Sequence, residues 1–376
     1  MPCAKPPSWC SQVDLERLLG RTLALQAIPA PTFREQARAG FLESEFAKAG
    51  LAEIHFDATG NLLGKVSGGS RPPLLVCAHL DSVFPADASL PALRSGDQLW
   101  GPGIGDNAIG LATLVELAID LCHLAPKGDV WLVGTVCEEG LGNLRGMRQV
   151  VADFGRNVAA YLALEGMALG HVYHRGLPAQ RYRISARTAG GHSWIHAGRP
   201  SAVHTLLGLG ADLVRAPLSS PPRTVLNIGR IQGGTSVNTI ASDASFEVDL
   251  RSEDAATLKA LAGHVEALVA GFQAPGVTLR MEAIGERPAG GLSDSHPLVR
   301  AACEALKEAG ERWIVEAGST DASVPLSLGL PAVCVGLTRG GGAHSMKEHI
   351  QISPLSRGYA AVMGLIHKVF DLPSAG

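Results

Sequence analysis

The sequence predicts an α/β protein with a mixed, mostly parallel sheet, interrupted by a smaller α+β domain. Three observations predict it. Short apolar runs, too uniform for strands with one wet face, read as strands buried on both sides. Stretches with helical apolar spacing separate them. Between residues 179 and 289 the texture changes to polar and apolar residues in alternation, as in half-exposed strands.

In order, Phe33 to Lys48 has helical spacing, and Pro73 to Ala78 is a buried strand that ends in His79-Leu80-Asp81. A glycine-rich loop, Gly101 to Asn107, leads into a helix over Asn107 to Leu124. The strand Val130 to Cys137 ends in Glu138-Glu139, and Leu144 to Phe154 is helical. The strand Val158 to Leu164 ends in Glu165-Gly166. Then Arg181 to Arg187 alternates. A helix over Pro200 to Arg215 follows, then strands over Val225 to Gln232 and Ala244 to Arg251. A helix over Ala255 to Phe272 and a strand over Val277 to Ile284 complete this part. Its β-α-β-β-α-β order is that of a ferredoxin-like domain. The large-helix pattern resumes with Pro297 to Ala309. The strand Pro331 to Leu337 leads through Arg339 to Ala343 into His344. The larger domain thus spans 1–178 and 290–376, with 179–289 inserted in it. There is no internal repeat and no low-complexity segment.

The chemistry lies at the strand ends. Adjacent carboxylates repel, which raises the proton affinity of one unless a cation is present. A metal resolves the conflict at Glu138-Glu139: one carboxylate binds it and the other serves as general base for the attacking water. His79 and Asp81, two apart on a strand, project the same way. His79 fits a metal ligand, and Asp81 the carboxylate that takes its second ring N–H. In parallel sheets, ligands bind beyond the carboxyl ends of strands. Four such ends here carry His79, Glu138-Glu139, Glu165 and His344. The glycine-rich loop lacks the Lys-Ser/Thr of a phosphate cradle, so its freedom serves to aim Asp106 into the site.

Composition narrows the class. The chain has 376 residues, 46% of them hydrophobic, and a formal net charge of −3. Its pI is near 6.5. That length suits roughly two to three domains. The charge gives no basic field for nucleic acid or an anionic membrane. No apolar run reaches the ~20 residues that span a bilayer, and the N-terminal residues carry no signal-type apolar region. The seven cysteines have no Cys-x-x-Cys spacing. Cys77, Cys137 and Cys334 fall in strands and Cys122 and Cys303 in helices, which fits reduced thiols in the cytoplasm. Cys3 and Cys10 could pair.

The chain resembles the dinuclear-zinc metallopeptidases and N-acyl-amino-acid hydrolases. That group includes carboxypeptidase G-type enzymes, succinyl-diaminopimelate desuccinylase, acetylornithine deacetylase, aminoacylase and tripeptidases. The resemblance rests on Ala78-His79-Leu80-Asp81-Ser82-Val83-Phe84, Gly101 to Asp106, Glu138-Glu139-Gly140-Leu141-Gly142, Glu165 and Ala343-His344, in order over nearly the whole chain. It implies two Zn2+ per subunit, with Co2+ or Mn2+ as substitutes. His79 and Glu165 would hold one zinc, Glu139 and His344 the other, and Asp106 would bridge them. Glu138 would be the general base, with Asp81 steering His79. Asn107 departs from the Lys or Asp of many relatives. The resemblance also implies a cis Asp106–Asn107 peptide bond, with both Asp106 oxygens turned toward the other ligands.

The inserted domain would be the dimerisation domain of a homodimer. His192, in Gly190-Gly191-His192-Ser193, would reach the partner's active site and stabilise the oxyanion. A loop His capping the next helix is the alternative reading, and His196 is the competing candidate. Asn238 and Arg251 would bind substrate, with the guanidinium suited to a carboxylate; Arg251 could instead be a surface strand residue. Asp321 could belong to the site or cap a helix. The expected reaction is hydrolysis of an amide bond in a short peptide or N-acyl amino acid. By the same resemblance, Glu rather than Asp at position 165 favours a carboxypeptidase or deacylase. An aminopeptidase, or an inactive relative that binds peptides or metabolites, are the alternatives.

Overall fold

The strand runs alternate between two cores. In the strand Leu62–His79, Leu74, Val76 and Ala78 pack into one buried cluster and Leu75 and Cys77 into another. The strand Ala160–Glu165 repeats this, with Ala160, Leu162 and Leu164 on one side and Tyr161 and Ala163 on the other. In Ala332–Gly336, Val333 and Val335 face the first cluster and Cys334 the second. Both faces are covered, so side-chain alternation leaves no polar positions. Each fully buried aliphatic side chain contributes about 1.5–3 kcal/mol.

The structure is a computed structural model and describes residues 13–272 and 274–373. Cys3 and Cys10 lie outside the described residues. The chain divides into two compact units, Met1–Gly176 with Gly290–Gly376, and Leu177–Ala289.

In the first unit, Ala52–Phe56, Leu62–His79, Ala160–Glu165, Ala332–Gly336, His171–Gly176 and Gly290–Gly291 lie side by side in that order. Gly128–Thr135 pairs with Leu62–His79, and Ile314–Gly318 with His171–Gly176. The sheet is mixed. The strands that carry the site are parallel, with His79 opposite Thr135, Cys77 opposite Ala163 and Gly336 opposite Glu165. Their carboxyl ends therefore share one edge.

Helices Leu15–Gln26, Gln36–Ala49, Ile109–Leu124, Pro297–Glu308 and Leu355–Val369 contribute to one cluster, and Arg145–Phe154 and Ser323–Ser327 to the other. Ile104–Leu124 is long and apolar enough to cross a membrane by length and mean hydropathy, contrary to expectation, but 72% of its window is buried. Its Glu116 is 1% exposed and pairs with Arg17 and Arg21. These are the marks of a core helix.

The second unit has the order β-α-β-β-α-β, with a further short pair, Gly191–His192 and Thr239–Ile240. Its sheet is antiparallel, in the order Thr224–Gly233, Asp243–Ser252, Ala179–Thr188, Val277–Arg287. Helices Ala202–Val214 and Ala255–Gly271 pack on one face through Leu206, Leu209, Leu261 and Val265. Positions in between carry cross-strand ion pairs. Arg181 lies opposite Asp249 (2.8 Å), Arg183 opposite Glu247 (2.9 Å) and Arg187 opposite Asp243 (3.2 Å). Such pairs set register.

Several sequence expectations shift, and the helix expected from Phe33 starts at Gln36. The strand expected over Val130 to Cys137 ends at Thr135, and Cys137 lies beyond it at φ 58°. The helix expected from Asn107 starts at Ile109, after a wide turn over Ile104–Ala108 in which Asp106 and Asn107 are not helical.

Candidate metal centre

His79 closes its strand and is 2% exposed. Its Nε2 lies 2.9 Å from Asp106 Oδ1 and 3.9 Å from Glu165 Oε2. On the other side of the Asp106 carboxylate, Oδ2 lies 3.2 Å from His344 Nε2, which is 3.1 Å from Glu139 Oε1. Asp106 thus gives one oxygen to each imidazole Nε2, and each Nε2 has one further carboxylate near it. Donor atoms of His79, Asp106 and Glu139 lie within 4.8 Å of one another. Imidazole nitrogens and carboxylate oxygens this close make a donor set that fits a divalent metal such as zinc.

The electrostatics fit a cation. Burial pushes Glu165 well above the usual carboxylate range, and Asp106 and Glu138 add repulsion. Burial, Asp106 and Glu138 also push Glu139 up, against the hydrogen bond from His344. Burial opposes a charged His79, yet the hydrogen bond to Asp106 and the nearby Asp81 carboxylate carry its imidazole well above its usual range. Asp106 and Glu139 push His344 up to about 10. A bound metal would take the place of those protons.

The bridging segment is tightly held. The Asp106–Asn107 peptide bond is cis, as expected. Asn107 Nδ2 donates to the Leu164 carbonyl at 2.8 Å, beside Glu165. A Cβ on Gly166 would lie 2.1 Å from the Gly105 oxygen, so only glycine fits there. Glu348, fully buried, accepts N–H groups of Gly103, Gly105 and Asp106. Burial pushes Glu348 up to about 7 against those donors.

Asp81 works differently from expectation. It lies beyond the strand, and His79 Nδ1 faces its backbone oxygen at 3.0 Å, while the carboxylate stands 3.6 Å away. The carboxylate instead accepts the N–H groups of Glu138 and Glu139, each at 2.9 Å, and the Thr32 hydroxyl at 2.8 Å. Glu138 is 5% exposed and follows the left-handed Cys137. The Cys137 N–H and thiol are both held by Glu35 Oε1. Asp321 does not cap a helix through its side chain. It is buried, and its Oδ2 accepts the Thr135 hydroxyl at 2.5 Å.

His192, Asn238 and Arg251 belong to the second unit. His192 is exposed, and its Nδ1 accepts the Trp194 N–H at 3.2 Å. His196 Nδ1 accepts the backbone N–H of His192 at 3.0 Å. Asn238 is exposed, with its Oδ1 on the Ser236 hydroxyl. Arg251 Nε donates to Asp249 Oδ2 at 2.6 Å.

Sequence reasoning missed Glu348 and Thr32, and left Asp321 undecided. The available signal for Glu348 was a lone carboxylate four residues after His344, beside a strand.

Residues 75–368 match the model of peptidase family M20/M25/M40. The chain is 27% identical over 346 residues to a putative succinyl-diaminopimelate desuccinylase of Mycobacterium tuberculosis, covering 89% of this chain and 94% of that one. It is 25% identical over 347 residues to carboxypeptidase G2 of a Pseudomonas species, covering 85% and 81%. A tripeptidase structure from Staphylococcus aureus superposes with a TM-score of 0.77 at 21% identity, over 96% of this chain and 100% of that one, and shows the shared fold.

Proposed function

The chain belongs to peptidase family M20/M25/M40, and from that premise we propose that it hydrolyses the amide bond of an N-acyl amino acid or short peptide with a free α-carboxylate on the leaving side. The observation that carries this reading is Asp106, set between His79 and His344, each with its own carboxylate partner.

The family is metal-dependent. His79, Asp106 and Glu165 would hold one Zn2+, and His344, Asp106 and Glu139 the second. When bound, the metals supply Lewis acidity that polarises the scissile carbonyl and acidifies water. Glu138 takes the proton of the attacking water and delivers it to the leaving nitrogen. Asp81 fixes the backbone of Glu138 and Glu139 and orients His79 through its carbonyl.

The second unit would supply the rest, from the partner subunit of a homodimer. Because His192 Nδ1 accepts an N–H, the neutral ring carries its hydrogen on Nε2, the form needed to donate to an oxyanion. His196 is occupied holding the His192 backbone, which favours His192 for the role. The Arg251 guanidinium, with Asn238 as a polar contact, would hold the substrate carboxylate. Cys77, Cys122, Cys137, Cys303 and Cys334 are free thiols, which supports a reducing, cytoplasmic setting.

The test combines metal analysis with a panel of N-succinyl and N-acetyl amino acids, C-terminal glutamyl peptides and tripeptides. Two metals per chain with turnover of the N-acyl or C-terminal substrates supports the reading. Turnover of only free-amine tripeptides would replace it with an aminopeptidase.

A further inference from the structure

We propose that Glu348 is the residue that positions the bridging carboxylate, by locking the loop of Asp106 to the loop of His344. The inference rests on the metal-centre reading above and deepens it.

The first N–H groups of a helical turn have no partner within the turn. Here Gly103, Gly105 and Asp106 would carry such orphans inside the protein. Glu348 Oε1 accepts Gly105 N–H at 2.7 Å and Asp106 N–H at 2.9 Å, and Oε2 accepts Gly103 N–H at 3.0 Å. Its backbone oxygen accepts the N–H of Gly101 at 2.9 Å. One residue therefore fixes four points of the segment that ends in Asp106, from more than 240 positions along the chain. The segment also packs closely against Gly166, where even a methyl group would meet the Gly105 oxygen.

Glu348 is itself anchored. Its N–H donates to the Ser345 oxygen at 3.2 Å, within the turn that follows His344. The next residue, His349, stacks on Trp100 with ring centroids 4.3 Å apart and opens a strand, His349–Gln351, that pairs with Gln98–Trp100. Three residues separate His344, whose Nε2 faces Asp106 Oδ2, from Glu348, which holds the Asp106 backbone. The side chain of Asp106 and its main chain are thus addressed by the two ends of one short loop. A shift in that loop would move a terminal ligand and the bridging ligand together. A carboxylate suits this better than an amide. It accepts at both oxygens, while a Gln would turn an NH2 toward one of the N–H groups.

The test uses the full chain, wild type beside Glu348→Gln and Glu348→Asp. Gln keeps size and loses an acceptor; Asp keeps charge and loses reach. The readouts are folding by circular dichroism and thermal melting, zinc affinity by chelator competition, and kcat and KM in zinc excess. The expected result is folded variants that bind zinc about 10–100-fold more weakly, with kcat reduced more than KM is raised. Zinc affinity within about twofold of wild type in a folded variant would overturn the inference, whatever the change in melting temperature. Loss of folding in both variants would make Glu348 a structural residue and equally overturn it. If the wild type itself binds no zinc, the metal-centre reading fails first, and this inference with it.

Discussion

The Asp81 carboxylate accepts the backbone N–H of Glu138 at 2.9 Å, so Asp81 fixes the main chain that carries the proposed base. The second Asp81 oxygen takes the Glu139 N–H in the same way. Asp81→Asn should place an NH2 against one of these N–H groups. We expect a stability loss of about 1–3 kcal/mol for the unsatisfied buried group, and at least a tenfold fall in kcat. Thermal melts and steady-state kinetics check this.

Glu116 tests the scaffold apart from the chemistry. It is 1% exposed on a core helix and receives the guanidinium groups of Arg17 and Arg21. Glu116→Ala removes the buried carboxylate from the exposed Arg17 and the half-buried Arg21, so denaturant unfolding should show a loss of about 1–3 kcal/mol. Turnover per folded molecule should not change.

Gly166→Ala should damage the site through the backbone. The added methyl must displace the Gly105 carbonyl, which lies just before Asp106. Overpacking of this kind costs about 1–3 kcal/mol. Zinc affinity by chelator competition should fall with stability, whereas Gly263→Ala, in open space within a helix, should leave zinc affinity unchanged and raise stability by about 0.5–1 kcal/mol.

Glu311 supplies a pH dependence. Burial opposes its charge, but hydrogen bonds from Arg357 and Arg339 hold its carboxyl below the usual range. A lowered folded pKa stabilises above the unfolded value, near ~4.3 for Glu. That contribution is lost as pH falls through the folded value. The melting-temperature gap between wild type and Glu311→Gln should therefore be full near neutrality and close in acid. A gap that widens on acidification would contradict the assignment.

Much of this was legible in the sequence because two physical rules leave marks. Burial of both sheet faces produced the uniform runs around Leu75, Val133 and Leu162, and the carboxyl ends of those strands carry His79, Glu138-Glu139 and Glu165. The cross-strand charges Arg181, Arg183 and Asp249 made the inserted unit's alternation visible. What escaped was side chain to backbone. Glu348 serves N–H groups, which every residue but proline has, so its partners leave no pattern. Asp81 was assigned to His79 by type, and its carboxylate also serves two amides that follow the neighbouring strand. Cys137 read as strand because its residue type continues the apolar run, whereas its backbone is left-handed and its N–H and thiol both meet Glu35.

The dimer proposal has its own test. His192→Ala and Glu138→Ala chains, each inactive alone, should regain activity on mixing. In a twofold dimer, random exchange leaves about a quarter of the sites with both residues intact. No recovery after verified exchange would place His192 outside the partner's reaction.

Glu138→Ala, assayed for metal content and turnover on the same preparation, addresses the proposed mechanism most directly. We expect two metals per chain, as in the wild type, and a loss of turnover of at least about 100-fold, the lower end of what a positioned base contributes. Wild-type turnover in the variant, with its metals in place, would show that Glu138 is not the base.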